Sequence, residues 1–571
     1  MSPKRISKVA MLVLGALALA CGSKEDPSPA SGGSGGSGGT GGSSGSSGGS
    51  AGGSGTAGSN GGTGGNAGAP PFEHPDPPLD YVPQDGTCGF DKPAFCDTFE
   101  SGPKDGGRSG ELDPAHWSVV RGMPYNTASL DDAFRIGPAL IGACRADLKD
   151  TTVLPDSDVL VCDPTDTIPS RHALATAAAQ NYGLATYRIR QPFDFEGRTG
   201  TIKLDMDLTN NGLGGWPALV IAGDPSPTPS FDWQERGSGP KNGVEIEFGT
   251  GWCNTPQTLE TIVYTFRDYV QTAFVPSFDC DIPHATTAPG SLNHVEVYLT
   301  QKHLEVWTSD ASEDGVTFPN QHMLWSGDID LPFTRGYVSL ALRNHATIKY
   351  WLGSAATVRF DNIGFDGPAI EDYREYSAPD SLTPFTGLHG CTMDGTECQW
   401  DGAVIPKFPN DDGRVKCAET PCDLPSGEGR NVGYVIPNIG VDDDASPAKL
   451  VFSDVDPGTF GRARLIFGAT YPWFEWNGVS HPPQYLALRY RVNGGAFHDR
   501  NLSDSEANAF TDFSPDLGGA GFGAGLLNQA IDLDLAELVA GDNTVELLMA
   551  NTWVGTYRGA ITGADLVFDN P

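Results

Sequence analysis

The sequence predicts an all-β protein, with two antiparallel β-sandwich or jelly-roll domains behind a disordered Gly/Ser-rich N-terminal linker. Three observations carry this. Apolar residues recur at every second position in short runs, and Gly, Pro, Asn and Asp stand between the runs. Sustained helical periodicity is absent, apart from a weak stretch around Ala173–Ala179. Two series of such runs occur, and each closes on Phe-Asp-Asn, at Phe360-Asp361-Asn362 and at Phe568-Asp569-Asn570. Many short alternating strands imply stacked sheets.

Composition bounds what such a protein does. Against 36 Lys+Arg stand 72 Asp+Glu, a formal net charge of −36 over 571 residues. A phosphate backbone is held by clustered cations, so nucleic acid is excluded as a partner. A basic face docking on anionic lipid is excluded on the same ground. Trp 11, Tyr 16 and Phe 27 supply the apolar surface that a wholly disordered chain lacks.

From the N-terminus, residues 1–21 read as an export signal. Lys4, Arg5 and Lys8 precede Val9–Ala20, an apolar run too short to span a bilayer as a stable helix. The end of the run, Ala18-Leu19-Ala20-Cys21, resembles a bacterial lipobox, with an ordinary secretory signal as the alternative. The resemblance implies that Cys21 is lipidated and becomes the mature N-terminus. It also implies an outer-membrane, cell-surface location, because Gly22 stands where an inner-membrane retention Asp would be. The membrane is then touched only through the lipid anchor. Residues 22–80 read as a disordered tether. Pro27–Pro71 is almost wholly Gly, Ser, Thr, Ala and Asn, and averages about 35–40 Å end to end as a flexible coil. Pro75, Pro77 and Pro78 form a stiffer collar after it.

Ten cysteines follow Cys21, and an even number in an exported chain implies disulfides. Nearest-neighbour pairing joins Cys88 with Cys96, Cys144 with Cys162, Cys253 with Cys280, Cys391 with Cys398 and Cys417 with Cys422. Other connectivities remain open on sequence grounds.

The first strand series spans 86–368. Its opening Phe95-Cys96-Asp97-Thr98-Phe99-Glu100 with Leu112-Asp113-Pro114-Ala115-His116-Trp117, its middle block Val244–Phe248 and its close at Val358–Ile363 resemble concanavalin A-like lectin/glucanase sandwiches. The second series spans 385–571. There, Leu535–Val545, with Gly541-Asp542-Asn543, looks like a stretch of galactose-binding-like jelly rolls.

Glu245 and Glu247 are the sharpest catalytic candidates. Residues two apart on a strand share a face, while Val244, Ile246 and Phe248 enter the core. Glucanases of the resembled superfamily carry two acids and a third in Glu-x-Asp-x-Glu or Glu-x-Asp-x-x-Glu. Here the third position falls on Gly249 or Thr250, neither of which can protonate a leaving oxygen. The alternatives are a solvated strand face or a carboxylate pair that binds sugar without cleaving it. Trp216, Trp233, Trp252, Trp473 and Trp476 are candidate platforms for sugar rings, with core packing as the alternative. By resemblance, Asp97, Glu100 and Asp361 would hold a structural Ca²⁺, with ordinary turn acids as the alternative.

The function expected is a surface-anchored lipoprotein that binds carbohydrate or glycoconjugate through its sandwiches. A glycan-cleaving hydrolase or lyase is the first alternative, and its mark would be a third acid brought in from another strand. A structural or adhesive surface protein is the second. Both sugar readings expect the glutamates on a curved, solvent-open face.

Overall fold

In a computed structural model of the chain, the described residues run from 72 to 570. They leave out 83–85, 101–111, 123–139, 145–171, 178–183, 208–214, 226–238, 251–257, 277–284, 289–290, 345–355, 379–387, most of 392–446, 477–478, 482–485, 504, 507–521 and 552–558. The chain divides into Met1–Asn66 and Ala67–Pro571. The expected signal segment, Cys21 and residues 22–71 lie outside the described residues, as do Trp233, Trp252, Cys162, Cys253, Cys280, Cys417 and Cys422.

Regular structure among the described residues is almost entirely strand, so the all-β expectation holds. The first sandwich has a nine-stranded and an eight-stranded sheet. The nine-stranded sheet runs Val270–Pro276, Thr258–Arg267, Asn242–Thr250, Gly215–Ala222, Arg335–Asn344, Leu184–Ile189 and Trp117–Gly122, with two short strands paired at its side. The eight-stranded sheet runs His322–Asp328, His303–Thr308, Asn293–Leu299, Gly200–Asp207, Ala356–Phe365, His172–Ala177 and Leu140–Cys144, and Phe95–Asp97 pairs with Ala356–Phe365. That last pairing joins the first strand of the domain to its closing one.

Alternation explains the core. Ile202, Leu204 and Met206 with Val295, Val297 and Leu299 point inward from one sheet; Leu219, Ile221, Val244, Ile246 and Phe248 meet them from the other. Each such side chain contributes about 1.5–3 kcal/mol by leaving water. The described part of the weak helical stretch, up to Ala177, is a strand instead. His172–Ala177 pairs on one side with Ala356–Phe360 and on the other with Leu140–Cys144, and two ladders of hydrogen bonds outweigh the helix preference of alanine. Cys88 and Cys96 form a disulfide with an S–S distance of 2.09 Å. Cys391 stands opposite Cys398 across a strand pair, and Cys144 lies in the strand Leu140–Cys144.

Residues 72–82 depart from the expected tether, which extended to residue 80. They form a strap across the outer face of the eight-stranded sheet. Phe72 meets His303 edge-on at 4.4 Å between centroids, His74 stacks on Tyr298 at 3.8 Å, and Tyr81 stacks on His294 at 3.5 Å. Tyr81 and Phe318 exchange backbone hydrogen bonds of 2.9 and 2.8 Å. Proline keeps such a chain extended, and three rings give it apolar faces to bury.

Beneath the strap lies a buried polar network. His294, Glu296 and Tyr298 alternate with the core residues Val295, Val297 and Leu299, so all three project to the outer face. His294 is 1% exposed; its Nδ1 is 2.6 Å from Asp205 Oδ1 and its Nε2 3.0 Å from Glu296 Oε1. Lys203 Nζ lies 2.9 Å from Glu296, and Asn362 Nδ2 donates to Asp205 at 2.7 Å. Burial disfavours a charge on His294, but the hydrogen bond to Asp205, and then the charges of Asp205 and Glu296, outweigh it and raise its pKa. Burial likewise pushes Glu296 up, yet His294 and Lys203 hold it down at about 2.

The second sandwich has a six-stranded and a five-stranded sheet around Leu450, Phe452, Leu465, Phe467, Val545, Leu547, Leu566 and Phe568. Gly541–Asn551, which opens on Gly541-Asp542-Asn543, is an inner strand paired on both sides. Asn543 ties the turn by donating to the carbonyls of Val539 and Gly541 at 2.7 and 3.1 Å. The unit also begins earlier than residue 385, because Tyr373–Ser377 pairs with the closing strand Gly559–Asp569.

The network beneath the strap makes stability depend on pH. A histidine raised in the fold stabilises fully below its ordinary value of 6.5 and loses that contribution as pH rises through its folded value. Glu296 stabilises above 4.5 and loses its contribution as pH falls towards about 2. The melting temperature should therefore be highest between these limits and fall on the alkaline side. In His294→Gln the alkaline fall should vanish; parallel profiles for the two proteins would contradict the assignment.

Candidate functional site

Glu245 and Glu247 lie on Asn242–Thr250, between Gly215–Ala222 and Thr258–Arg267. Alternation turns Val244, Ile246 and Phe248 into the core and both acids to the outer face of the nine-stranded sheet. Register supplies the neighbours. Glu245 is opposite Tyr264 on one side and Val220 on the other; Glu247 is opposite Ile262 and Ala218. Tyr264 Oη donates to Glu247 Oε2 at 3.1 Å.

The same register brings in a third acid. Glu260 stands opposite Gly249, so it shares the face of Glu245 and Glu247. The position that lacks an acid on the first strand is thus met by a glutamate on the next. Sequence reading places this strand at Thr261–Phe266 and so misses Glu260. The strand begins at Thr258, and extending its alternation two residues back from Ile262 would have found the acid.

The expectation of an open face is not met. Glu245, Glu247 and Glu260 are all 0% exposed. At the other end of the face the cover is the second sandwich. Arg188 lies opposite Ser339 and Ser118 in the sheet, and its Nη2 is 2.6 Å from Glu375 and 3.7 Å from Asp565. Arg190 Nη1 is 2.5 Å from Glu375, and Ser118 Oγ donates to Asp565 Oδ2 at 2.5 Å. Arg464 of the second sandwich donates to Tyr337 Oη at 3.4 Å and lies 3.8 Å from Asp224. Buried carboxylates and guanidinium groups thus bind the six-stranded sheet to this face.

Two of the expected calcium ligands, Asp97 and Asp361, accept hydrogen bonds from neighbouring groups. Asp97 accepts from Trp117 Nε1 and from the Phe99 N–H, both at 2.8 Å. Burial pushes its carboxyl up, but bonds from His116, Trp117 and Phe99 hold it below the usual range. Asp361 accepts from the Asn362 N–H at 2.8 Å, and Glu100 is exposed. Among the described residues no group of three or more His, Cys, Asp or Glu could hold a metal ion. Trp216 lies in Gly215–Ala222 opposite Arg343. Trp473 lies in the long strand Arg462–Trp476 opposite Gly523, and Trp476 ends that strand opposite Val479. The side chains of these three lie outside the described residues.

No family model matches the chain, and no curated protein matches it. Solved structures show faint likeness. A glycoside hydrolase family 16 endo-glucanase from Bacteroides ovatus is 12% identical, with 48% of this chain and 99% of that one covered and a TM-score of 0.27. A legume lectin-like domain from Entamoeba histolytica is 9% identical, with 34% and 84% covered and a TM-score of 0.24. The basic winged bean lectin with Tn-antigen is 10% identical, with 44% and 97% covered and a TM-score of 0.24. Likeness this slight does not say what this chain binds or cleaves.

The ion network between the sandwiches has a measurable weight. Removing one partner of a buried pair leaves the other uncompensated, at about 3–5 kcal/mol. Arg188→Met should therefore lower unfolding stability by about that amount, and Glu375→Gln in the same chain should recover part of it. A loss under about 1 kcal/mol in chemical denaturation would mean that the pair does not hold the sheets together.

Proposed function

We propose that the protein is a lipid-anchored surface protein that binds carbohydrate, with the sugar held at the acidic end of the nine-stranded sheet of its first sandwich. The observation that supports this reading is the gathering of Glu245, Glu247 and Glu260 on one face, with the Tyr264 hydroxyl on Glu247. Taking a carboxylate out of water costs several kcal/mol, and at the docked end of this face Arg188 and Arg190 offset that cost for Glu375. Three acids at the acidic end suit hydrogen bonding to sugar hydroxyls, which donate to carboxylates. All three are 0% exposed, so sugar binding here requires that the face be uncovered. Anchoring through an acylated Cys21 would place the sandwiches at the cell surface on the tether.

The test is a glycan array probed with the protein and with a variant carrying Glu245→Gln, Glu247→Gln and Glu260→Gln. Capture of a defined glycan class is expected, weakened in the variant by at least about tenfold, as for lost hydrogen bonds to charged groups. No capture with or without calcium, or equal capture by the variant, would end the proposal.

Glu260 favours a second reading, hydrolysis of a polysaccharide. In this reading Glu260, opposite Gly249, would protonate the leaving oxygen, while Glu245 or Glu247 would attack or activate water. Release of reducing ends from a β-glucan should then fall about 10²–10⁴-fold in Glu260→Gln. If the unaltered protein releases none, this reading fails and sugar binding stands alone.

A further inference from the structure

The strap at residues 72–82 shows the outer face of the eight-stranded sheet already holding a peptide. That face presents a row of rings. Tyr298 and His294, both on Asn293–Leu299, take the rings of His74 at 3.8 Å and Tyr81 at 3.5 Å. On the next strand His303 meets Phe72 edge-on at 4.4 Å. Between them Glu305 fixes the strap, its Oε2 lying 2.9 Å from His74 Nε2 and accepting from Trp307 Nε1 at 2.9 Å. Proline-rich segments suit aromatic-lined surfaces of this kind, because a chain already extended loses little entropy on docking.

Three features set the strap apart from a permanent part of the sheet. Its backbone is lightly held. Pro75, Pro77 and Pro78 have no N–H to donate. Among the described residues, its backbone bonds to the rest of the domain lie near its ends, at Glu73 with Thr199, and at Leu79 and Tyr81 with Gln321 and Phe318. What it covers is polar. His294, Asp205, Glu296 and Lys203 pair with one another, so water can reach them while Val295, Val297 and Leu299 stay in the core on the opposite face. The fit is also imperfect, since Tyr81 Oη is buried with no hydrogen-bond partner, a cost that opening recovers.

We propose that this face is a peptide-docking surface, closed in the isolated chain by its own strap and open to exchange for a proline-rich segment of another chain. The strap shows what such a partner carries: an extended run with several prolines, and aromatic side chains placed to stack on Tyr298 and His294. The proposal rests on neither reading of the glutamate face.

The test titrates a fluorescent peptide with the sequence of residues 70–83 into the full chain and follows anisotropy. In the unaltered protein the strap competes at the high effective concentration of a linked segment, so the peptide binds weakly. Two variants open the strap. A Cβ at position 89 would lie 2.0 Å from Tyr81 Oη, so Gly89→Ala displaces that ring. His74→Ala removes the stack on Tyr298 and the contact with Glu305. Each variant should bind the peptide at least about tenfold more tightly than the unaltered protein does. A peptide carrying His74→Ser and Tyr81→Ser should bind either variant at least about tenfold more weakly than the unaltered peptide. Unchanged peptide affinity in both variants, or equal binding of the two peptides, would overturn the proposal. Should Gly89→Ala fail to fold, His74→Ala decides alone.

Discussion

Arg188 is 3% exposed and sits 2.6 Å from a Glu375 that is 2% exposed, with Asp565 at 3.7 Å on its other side. None of these charges can return to water while the sheets are together, and none can be left alone without a large desolvation penalty. Geometry is therefore tightly constrained there. The six-stranded sheet of the second sandwich must present Glu375 and Asp565 to the first, and the strand Tyr373–Ser377 must pair with Gly559–Asp569 to carry Glu375 into place. Coulombic attraction in a low-dielectric setting, more than apolar contact, sets how the two sandwiches meet.

That constraint decides where chemistry can occur. With Arg188 and Arg190 committed to the second sandwich, one end of the nine-stranded face is an interface rather than a groove. The outer face of the other sheet is occupied as well, because the strap from Phe72 to Tyr81 stacks its rings on His303, Tyr298 and His294. Buried polar groups lie at the acidic end of the nine-stranded face and beside a cavity at the junction of the sandwiches, where Gln191 carries a buried nitrogen. Both sit close to covered surfaces, where low polarity strengthens each hydrogen bond.

Particular residues show how far sequence reading reached. Glu245 and Glu247 were legible as neighbours on one face because strand alternation is a local property that needs no partner. Glu260 was not, because its relation to them depends on Thr258–Arg267 pairing with Asn242–Thr250 in one register out of several. The alanines of His172–Ala177 misled for a related reason, since helix propensity is local while the two ladders that hold this strand are not. Asp97 reads as a cation ligand in the sequence, and in the fold its oxygens accept from Trp117 and the Phe99 N–H, partners that only the tertiary structure reveals. Nothing in the spacing of Phe72, His74 and Tyr81 foretold docking, as their ring partners lie more than two hundred residues away.

By itself the sequence determined the all-β class and the inward and outward assignment along each strand. Period-two patterning and short loops suffice for those. Tertiary structure alone decided that the glutamate face is covered, that a third acid completes it, and that the tether base is a strap. These depend on which strands pair, in what register, and on charges such as Arg188 and Glu375 that meet across 187 positions of chain. Such choices are made by long-range burial and charge compensation, which leave no periodic trace in a single sequence.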